Sequence, residues 1–210
     1  MAEITRNDIF GAIIIQAVKE FKLAKCLEIG SWDGLGSTQC FIEGMKDLPD
    51  RHLDCIEINR DRFKELIYNT YQYKGWVDCY NKSSISYDDM LHKDFNEIWS
   101  SPYNKFENTK KETANGWFKG ELITILSNDG FITPGMKYDG VLIDGAEFTG
   151  YSEFKLLKDN VNVFFLDDYF RAFKTNQVVE ELSNDSDWEA VAINPNLRNG
   201  FAIFKRKQFV

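Results

Sequence analysis

Residues 25–37 read Lys-Cys-Leu-Glu-Ile-Gly-Ser-Trp-Asp-Gly-Leu-Gly-Ser, and this stretch decides the fold. Residues 25–30 are a short apolar run that ends in glycine, which is typical of a buried strand entering a tight turn. Helical periodicity resumes at about Ser37. The stretch therefore predicts a strand, a glycine turn and a helix, the repeating unit of α/β folds.

The same unit recurs on both sides of this stretch. An amphipathic leading helix is predicted over residues 7–22, ahead of the first strand. Further strands are predicted at residues 53–58, 76–81, 138–145 and 161–168. Helices are predicted at residues 59–73, from about Ser86 to Trp99, and at residues 151–159 and 174–182. Such alternation builds a mostly parallel sheet with helices on both faces.

The C-terminal part of the chain breaks this alternation. Residues 188–193 and 200–207 are strand-like and flank Asn-Pro-Asn-Leu-Arg-Asn, so two strands follow one another without a helix. The prediction is a single α/β domain over residues 1–210, with a Rossmann-like, doubly wound, seven-stranded, mostly parallel sheet and a C-terminal antiparallel hairpin. Residues 100–120, polar with interspersed aromatics, are predicted to be a long inserted loop that acts as a lid over an acceptor.

Composition excludes several classes of protein. The 210 residues carry a net charge of −8, which repels phosphate backbones and anionic lipids, so neither nucleic acid nor a membrane is predicted as a partner. The 4 cysteines show no CxxC spacing and are predicted to be reduced. The apolar run at residues 10–18 is too short for a membrane span and matches no signal peptide, so a cytoplasmic protein is expected.

The functional signal lies at the strand ends, where doubly wound sheets bind ligands. Gly30, Gly34 and Gly36 are spaced differently from the dinucleotide fingerprint GxGxxG. Glycines let backbone N–H groups approach a ligand, and a carboxylate at Glu28 favours an amino-bearing group over a pyrophosphate. Glu57 ends the second predicted strand, where a carboxylate can accept both hydrogen bonds of a ribose diol.

This combination resembles the class I S-adenosylmethionine-dependent methyltransferases. The resemblance rests on ExGxxxG at Glu28, Gly30 and Gly34, on Glu57, and on the serines after the third strand, and it spans most of the chain. It implies S-adenosylmethionine as cofactor. The residues that it implies for cofactor binding are Glu28, Gly30, Ser31, Gly34, Glu57, Ser83, Ser84 and Asp144.

Within that superfamily, three segments are similar to the small O-methyltransferases of the family called methyltransferase 24. These segments are Ile143-Asp144-Gly145-Ala146-Glu147, Leu166-Asp167-Asp168 and Lys174-Thr175. The similarity implies O-methylation of a small molecule or of a sugar or glycan hydroxyl. The expected partner is therefore a small-molecule or glycan acceptor, and a homodimer is left open.

Three carboxylates end adjacent predicted strands and raise the question of a metal. Asp144, Asp167 and Asp168 would repel one another unless they are protonated, separated or bridged by a hard divalent cation such as Mg²⁺. Metal-dependent catechol-type O-methyltransferases place their ligands at these strand ends. Their pattern has Asp-Asn where this chain has Asp167-Asp168.

Transfer to an oxygen requires a base that removes the acceptor proton. Related proteins have His or Lys three residues after the strand-four aspartate, where this chain has Glu147, so Glu147 is the predicted catalytic base and Asp168 the second candidate. The 2 histidines, His52 before the second strand and His92 in a predicted helix, argue against a histidine-centred mechanism.

Two alternatives to the methyltransferase remain open at this stage. An NAD-type Rossmann oxidoreductase shares the acidic end of the second strand, although the glycine spacing and the terminal hairpin argue against it. A catalytically silent Rossmann-like binding module would keep the same fold without the activity. The sequence leaves the acceptor, the metal requirement and the oligomeric state undetermined.

Overall fold

The computed structural model describes residues 4–209, which form one seven-stranded sheet. Its strands are β1 (Lys25–Ile29), β2 (His52–Ile56), β3 (Val77–Tyr80), β4 (Tyr138–Ile143), β5 (Val161–Asp167), β6 (Trp188–Asn194) and β7 (Phe201–Arg206). The strand order is β3-β2-β1-β4-β5-β7-β6, and β1 to β5 pair in parallel. β7 runs antiparallel to both β5 and β6. The predicted sheet and its C-terminal hairpin are confirmed.

Seven α-helices are found within the described residues. They are α1 (Ile9–Glu20), α2 (Ser37–Met45), α3 (Arg60–Thr70), α4 (Phe95–Ser100), α5 (Lys111–Leu126), α6 (Gly150–Leu157) and α7 (Asn176–Asn184). Side-chain caps set the starts of α1 and α3: Asp8 accepts a hydrogen bond from the Gly11 N–H, and Asn59 accepts from the N–H groups of Asp61 and Arg62. No helix among residues 4–209 has the length and apolar character needed to cross a membrane.

The sheet is covered on both faces by apolar side chains. Phe164 and Phe165 are neighbours in β5, yet Phe164 belongs to the core beneath α4 to α7 and Phe165 to the core beneath α1 to α3. Side chains alternate along a strand, so a strand buried on both faces is apolar at successive positions. This explains why the parallel strands appear in the sequence as continuous apolar runs.

The prediction of a helix from Ser86 to Trp99 is wrong for most of these residues. Only Phe95–Ser100 is helical, and residues 86–94 form turns and irregular chain. The Ser86 hydroxyl donates to Asp89, while the Asp94 side chain accepts from the Asn96 N–H and begins α4 there. These local side-chain bonds compete with the helical ones.

The long loop predicted over residues 100–120 is also corrected. Its second half belongs to α5, and only residues 101–110 lie between α4 and α5. Ala114, Phe118 and Ile125 are the buried residues of this helix. Their helical spacing begins inside the predicted loop and continues past its predicted end at residue 120. Glycines at positions 116 and 120 lower the helix propensity of this segment, and tertiary packing overrides that deficit.

Candidate active site at the carboxyl ends of the strands

Two cavities open at the carboxyl edge of the parallel strands. The first cavity, of about 490 Å³, lies over the ends of β1, β2 and β4 and beside α5. The second cavity, of about 320 Å³, lies over the ends of β1, β4 and β5. Gly30, Trp32, Asp144 and Gly145 line both cavities, so the two join at the end of β1.

The turn after β1 brings the backbone to this junction. Gly30 has a φ of +89°, and a Cβ atom placed there would lie 2.2 Å from the carbonyl oxygen of Asp144. The N–H groups of Gly30 and Ser31 both donate to the Ile56 carbonyl at 3.0 Å. Ser31 lines the second cavity. Only glycine fits at position 30 without displacing backbone.

Gly34, another predicted cofactor residue, serves the turn and lines neither cavity. Its φ is +76°, and an added Cβ would lie 2.8 Å from Leu66 Cδ1 on α3. It therefore allows the turn to pack closely against α3.

Glu28 does not face the ligand crevice as predicted. Its side chain is fully buried and accepts hydrogen bonds from Ser37 Oγ at 2.5 Å and Thr38 Oγ1 at 2.6 Å. Strand alternation places it on the same face as Cys26, beneath α2. Burial raises the pKa of this carboxyl. Glu28 therefore ties β1 to the first turn of α2, and it lines neither cavity.

Glu57 lies on the wall of the first cavity, as predicted for the end of the second strand. Its Oε2 accepts the Trp32 N–H at 2.8 Å, and its Oε1 accepts the Asn59 N–H at 2.7 Å. Burial raises the pKa of Glu57, and these two backbone bonds oppose that shift. Each carboxylate oxygen has lone-pair capacity beyond one bond, so the pair can accept two neighbouring hydroxyls.

Ser83 and Ser84 line the same cavity after β3, where the sequence places them. Ser84 Oγ donates to the fully buried Glu153 at 2.5 Å, and Thr149 donates to the same oxygen at 2.7 Å. Ser84 is thereby fixed in orientation at the cavity wall.

Helix α5 supplies a wall that the sequence interpretation missed. Trp117, Gly120 and Glu121 line the first cavity. Glu121 accepts the N–H groups of Glu147 at 2.8 Å and Phe148 at 3.1 Å, and burial raises its pKa to about 7. The sequence signal for this wall is the helical spacing of the apolar residues of α5, which begins inside the predicted loop.

The second cavity holds the predicted acidic cluster. Asp144, Asp167 and Asp168 each offer a carboxylate oxygen, and these oxygens lie within 4.8 Å of one another. Lys174, from the segment before α7, places Nζ 2.9 Å from Asp144 Oδ1 and 2.7 Å from Asp168 Oδ2. Arg198, from the β6–β7 turn, has Nη2 3.6 Å from Asp167 Oδ1. The structure thus brings the three carboxylates together with two cationic side chains.

The charges of this cluster follow from these contacts. Burial and the charges of Asp144 and Asp168 raise the pKa of Asp167. Burial also acts to raise the pKa of Asp168, but the charge and hydrogen bond of Lys174 outweigh it and lower that pKa. Burial alone would lower the pKa of Lys174, whereas Asp144 and Asp168 raise it. Asp168 is therefore ionised and Lys174 protonated at neutral pH.

Glu147, the predicted base, is placed outside the walls of both cavities. Its Oε1 accepts the N–H groups of Phe173 at 2.6 Å and Lys174 at 3.2 Å. Burial raises its pKa. This geometry anchors the segment that carries Lys174, and of the two predicted bases only Asp168 lines a cavity.

Neither His52 nor His92 lines either cavity. His52 Nε2 is 2.9 Å from Asp54 Oδ1 at the opposite edge of the sheet. His92 is not helical as predicted; it lies in the segment before α4 and contacts Phe173 and Tyr151.

Neither a protein-family model nor a curated protein sequence matches the chain. Solved structures share its fold. SAH-bound methyltransferase PaMTH1 of Podospora anserina is 12% identical with a TM-score of 0.59, over 94% of this chain and 78% of that chain.

Two further structures give similar values. The O-methyltransferase from Bacillus cereus in complex with SAH is 13% identical with a TM-score of 0.58, over 94% of this chain and 80% of that chain. The O-methyltransferase TomG from Streptomyces achromogenes, involved in tomaymycin synthesis and in complex with SAM, is 14% identical with a TM-score of 0.55, over 93% and 78%. The fold of this chain is therefore the α/β Rossmann-like fold of class I methyltransferases.

Proposed function

We propose that the protein is an S-adenosylmethionine-dependent methyltransferase that methylates a hydroxyl group of a small molecule, sugar or glycan. The observation that carries this proposal is the buried Glu57 carboxylate, oriented by two backbone N–H groups, on a cavity that joins a charged second cavity at Gly30. Solved structures of the same fold hold SAH or SAM, which supports the choice of donor.

The residues present fit an adenosyl group. The first cavity, at about 490 Å³, lies within the range of roughly 300–1,000 Å³ common for small-molecule sites. Glu57 can accept the ribose diol, while Ile58 and Ser83 offer apolar and polar contacts for the base. At the junction, Ser31 and Asp144 line the second cavity beside Gly30, where the amino acid end of the donor would lie.

When bound, S-adenosylmethionine supplies an electrophilic methyl group whose bond to sulfur breaks, with its electron pair kept by sulfur, as an O–CH₃ bond forms. Asp168, the second candidate base, lines the second cavity and takes the proton that the acceptor hydroxyl gives up. The lid predicted over residues 100–120 becomes, in this proposal, a wall of the donor cavity, since Trp117 and Gly120 line the first cavity.

The experiment is calorimetric titration with S-adenosylhomocysteine and, separately, with NADH. Glu57→Ala removes two acceptor oxygens, and loss of hydrogen bonds to a charged group weakens binding by roughly 100-fold. Glu180→Ala removes an equivalent charge from an exposed position on α7 and is the matched control. We expect micromolar binding of S-adenosylhomocysteine by the wild type and by Glu180→Ala.

Each other result has a defined meaning. If S-adenosylhomocysteine binds Glu57→Ala as tightly as the wild type, Glu57 does not hold the donor. Absence of binding to the wild type contradicts the methyltransferase proposal, and binding of NADH instead would support the oxidoreductase.

A further inference from the structure

The second cavity contains a lysine ammonium that contacts two of its three clustered carboxylates. Lys174 Nζ contacts carboxylate oxygens of both Asp144 and Asp168, and only 9% of the Lys174 side chain is exposed. We propose that this ammonium takes the place of a divalent metal ion and binds the acceptor oxygen, so that the methyl transfer proposed above proceeds without metal. The methyl-transfer part of this inference rests on the proposed function. The part in which Lys174 replaces a metal ion does not depend on it.

A hard cation bound by this cluster would share two carboxylates, those of Asp144 and Asp168, with Lys174. Mg²⁺ binds carboxylate oxygens at about 2.1 Å and demands near-octahedral geometry. The three carboxylates span less than 4.8 Å, which leaves one cation position among them. Two cations within a few ångströms in a buried site repel each other strongly. The Lys174 ammonium and a metal ion are therefore mutually exclusive here.

The backbone of Lys174 is held in place by contacts on two sides. Its N–H donates to Glu147 Oε1 at 3.2 Å. Its carbonyl oxygen lies so close to Gly150 that a Cβ there would be 2.3 Å away. Contacts with Glu147 and with the start of α6 position the backbone of Lys174, and from there its side chain reaches the carboxylates of Asp144 and Asp168.

The cluster is also electrostatically compensated without a metal. Lys174 pairs with Asp144 and Asp168, and Arg198 lies 3.6 Å from Asp167. The repulsion that would otherwise call for a divalent ion is thereby relieved.

This arrangement allows an acceptor that carries a single hydroxyl at the reacting position. An ammonium has three N–H donors, and two of them are directed at Asp144 and Asp168. The third can bind the acceptor oxygen in the second cavity, while the acceptor O–H faces Asp168. A metal ion would instead favour two vicinal oxygens that chelate it, so the lysine removes the requirement for a catechol-like diol.

The test is binding of Mn²⁺, followed by the electron paramagnetic resonance signal of the free ion, in a His52→Gln background. This background removes a second cluster, formed by His52, Asp54 and Asp78, that could also bind the ion. The variants are Lys174→Met, which removes the ammonium, and Lys174→Arg, which keeps the charge. We expect no site at millimolar Mn²⁺ with lysine or arginine, and a gain of at least roughly tenfold in affinity with methionine.

The proposal is overturned if the parent protein binds one Mn²⁺ ion that Asp168→Asn abolishes. It is also overturned if folded Lys174→Met gains no site. Should Lys174→Met fail to fold, comparison of the parent with Asp168→Asn still decides whether metal occupies the cluster.

Titration with S-adenosylhomocysteine in EDTA and in Mg²⁺ separates this inference from the proposed function. Equal affinity in both supports a metal-free site, and a requirement for Mg²⁺ contradicts it. Absence of binding in both would refute the proposed function, whereas the Mn²⁺ measurement would still decide the role of Lys174.

Discussion

Glu57 and Asp168 are carboxylates just beyond strand ends, Glu57 buried and Asp168 half-buried, and their surroundings shift their pKa values in opposite directions. Backbone N–H groups hold Glu57, so its orientation is fixed, and burial raises its pKa although the charge of Arg62 acts to lower it. A protonated lysine holds Asp168, so its charge is compensated and its pKa is lowered. The first cavity is thus prepared for a ligand with hydroxyl donors, and the second already contains a counter-ion.

The largest effect is expected at the junction that the two cavities share. Gly30→Ala forces a Cβ to within 2.2 Å of the Asp144 carbonyl oxygen at a φ of +89°, and the backbone must shift. We expect a loss of about 3 kcal/mol or more in the free energy of unfolding, together with loss of S-adenosylhomocysteine binding. Chemical denaturation and calorimetry measure these two quantities.

Gly75→Ala is the matched control, because no atom lies within 4 Å of a Cβ at that position. Its free energy of unfolding should stay within about 0.5 kcal/mol of the wild type. Equal stability of the two variants would contradict a rigid junction between β1 and β4.

A smaller effect on stability is expected from substitutions of Glu147. Comparing two of them tests whether Glu147 acts as a base or positions the Lys174 segment. Its Oε1 accepts both N–H groups of the Lys174 segment, and the amide oxygen of Glu147→Gln can do the same. We expect Glu147→Gln to unfold within about 0.5 kcal/mol of the wild type, and Glu147→Ala to lose about 1–3 kcal/mol.

Denaturant unfolding of both variants measures this difference. Once an acceptor is found, turnover by Glu147→Gln should fall only a few-fold, because a true base contributes roughly 100-fold or more. A larger loss of turnover in that variant would restore Glu147 as the base.

The smallest effect concerns pH and the α5 wall. Burial raises the pKa of Glu121 from 4.5 to about 7, so between these values the folded protein binds more protons than the unfolded chain. The stability that Glu121 contributes is therefore present at low pH and is lost as pH rises through about 7. In Glu121→Gln this loss disappears.

The expected result is a difference in unfolding free energy, variant minus wild type, that grows by on the order of 1–3 kcal/mol between pH 5 and pH 8. Thermal unfolding across this pH range measures it. A difference independent of pH would show that Glu121 has an ordinary pKa in the folded protein.

The sequence located much of the site because the relevant signals are local. The glycine turn after β1 and the acidic end of β2 follow from a strand period and a turn residue, and both Gly30 and Glu57 line the first cavity. The C-terminal hairpin follows from two strand patterns with no helix between them.

The errors arise where side-chain direction or tertiary packing decides. Glu28 lies one residue before the cavity-lining end of β1, and strand alternation turns it beneath α2. Helix α5 forms although two glycines weaken its propensity, because its apolar side chains pack against the sheet. The sequence could not reveal Glu121 as a cavity residue without that helix.

The order of the strands along the chain, the two-sided burial of the sheet and the edge at which both cavities open follow from the sequence alone, because they reflect periodicity and turn chemistry. Only the tertiary structure decided which charges meet at that edge. Lys174 and Asp144 are 30 residues apart, and their contact depends on the packing of the segment after β5 against the end of β4. Contacts of this kind carry no local pattern, since they arise from distances in the folded chain.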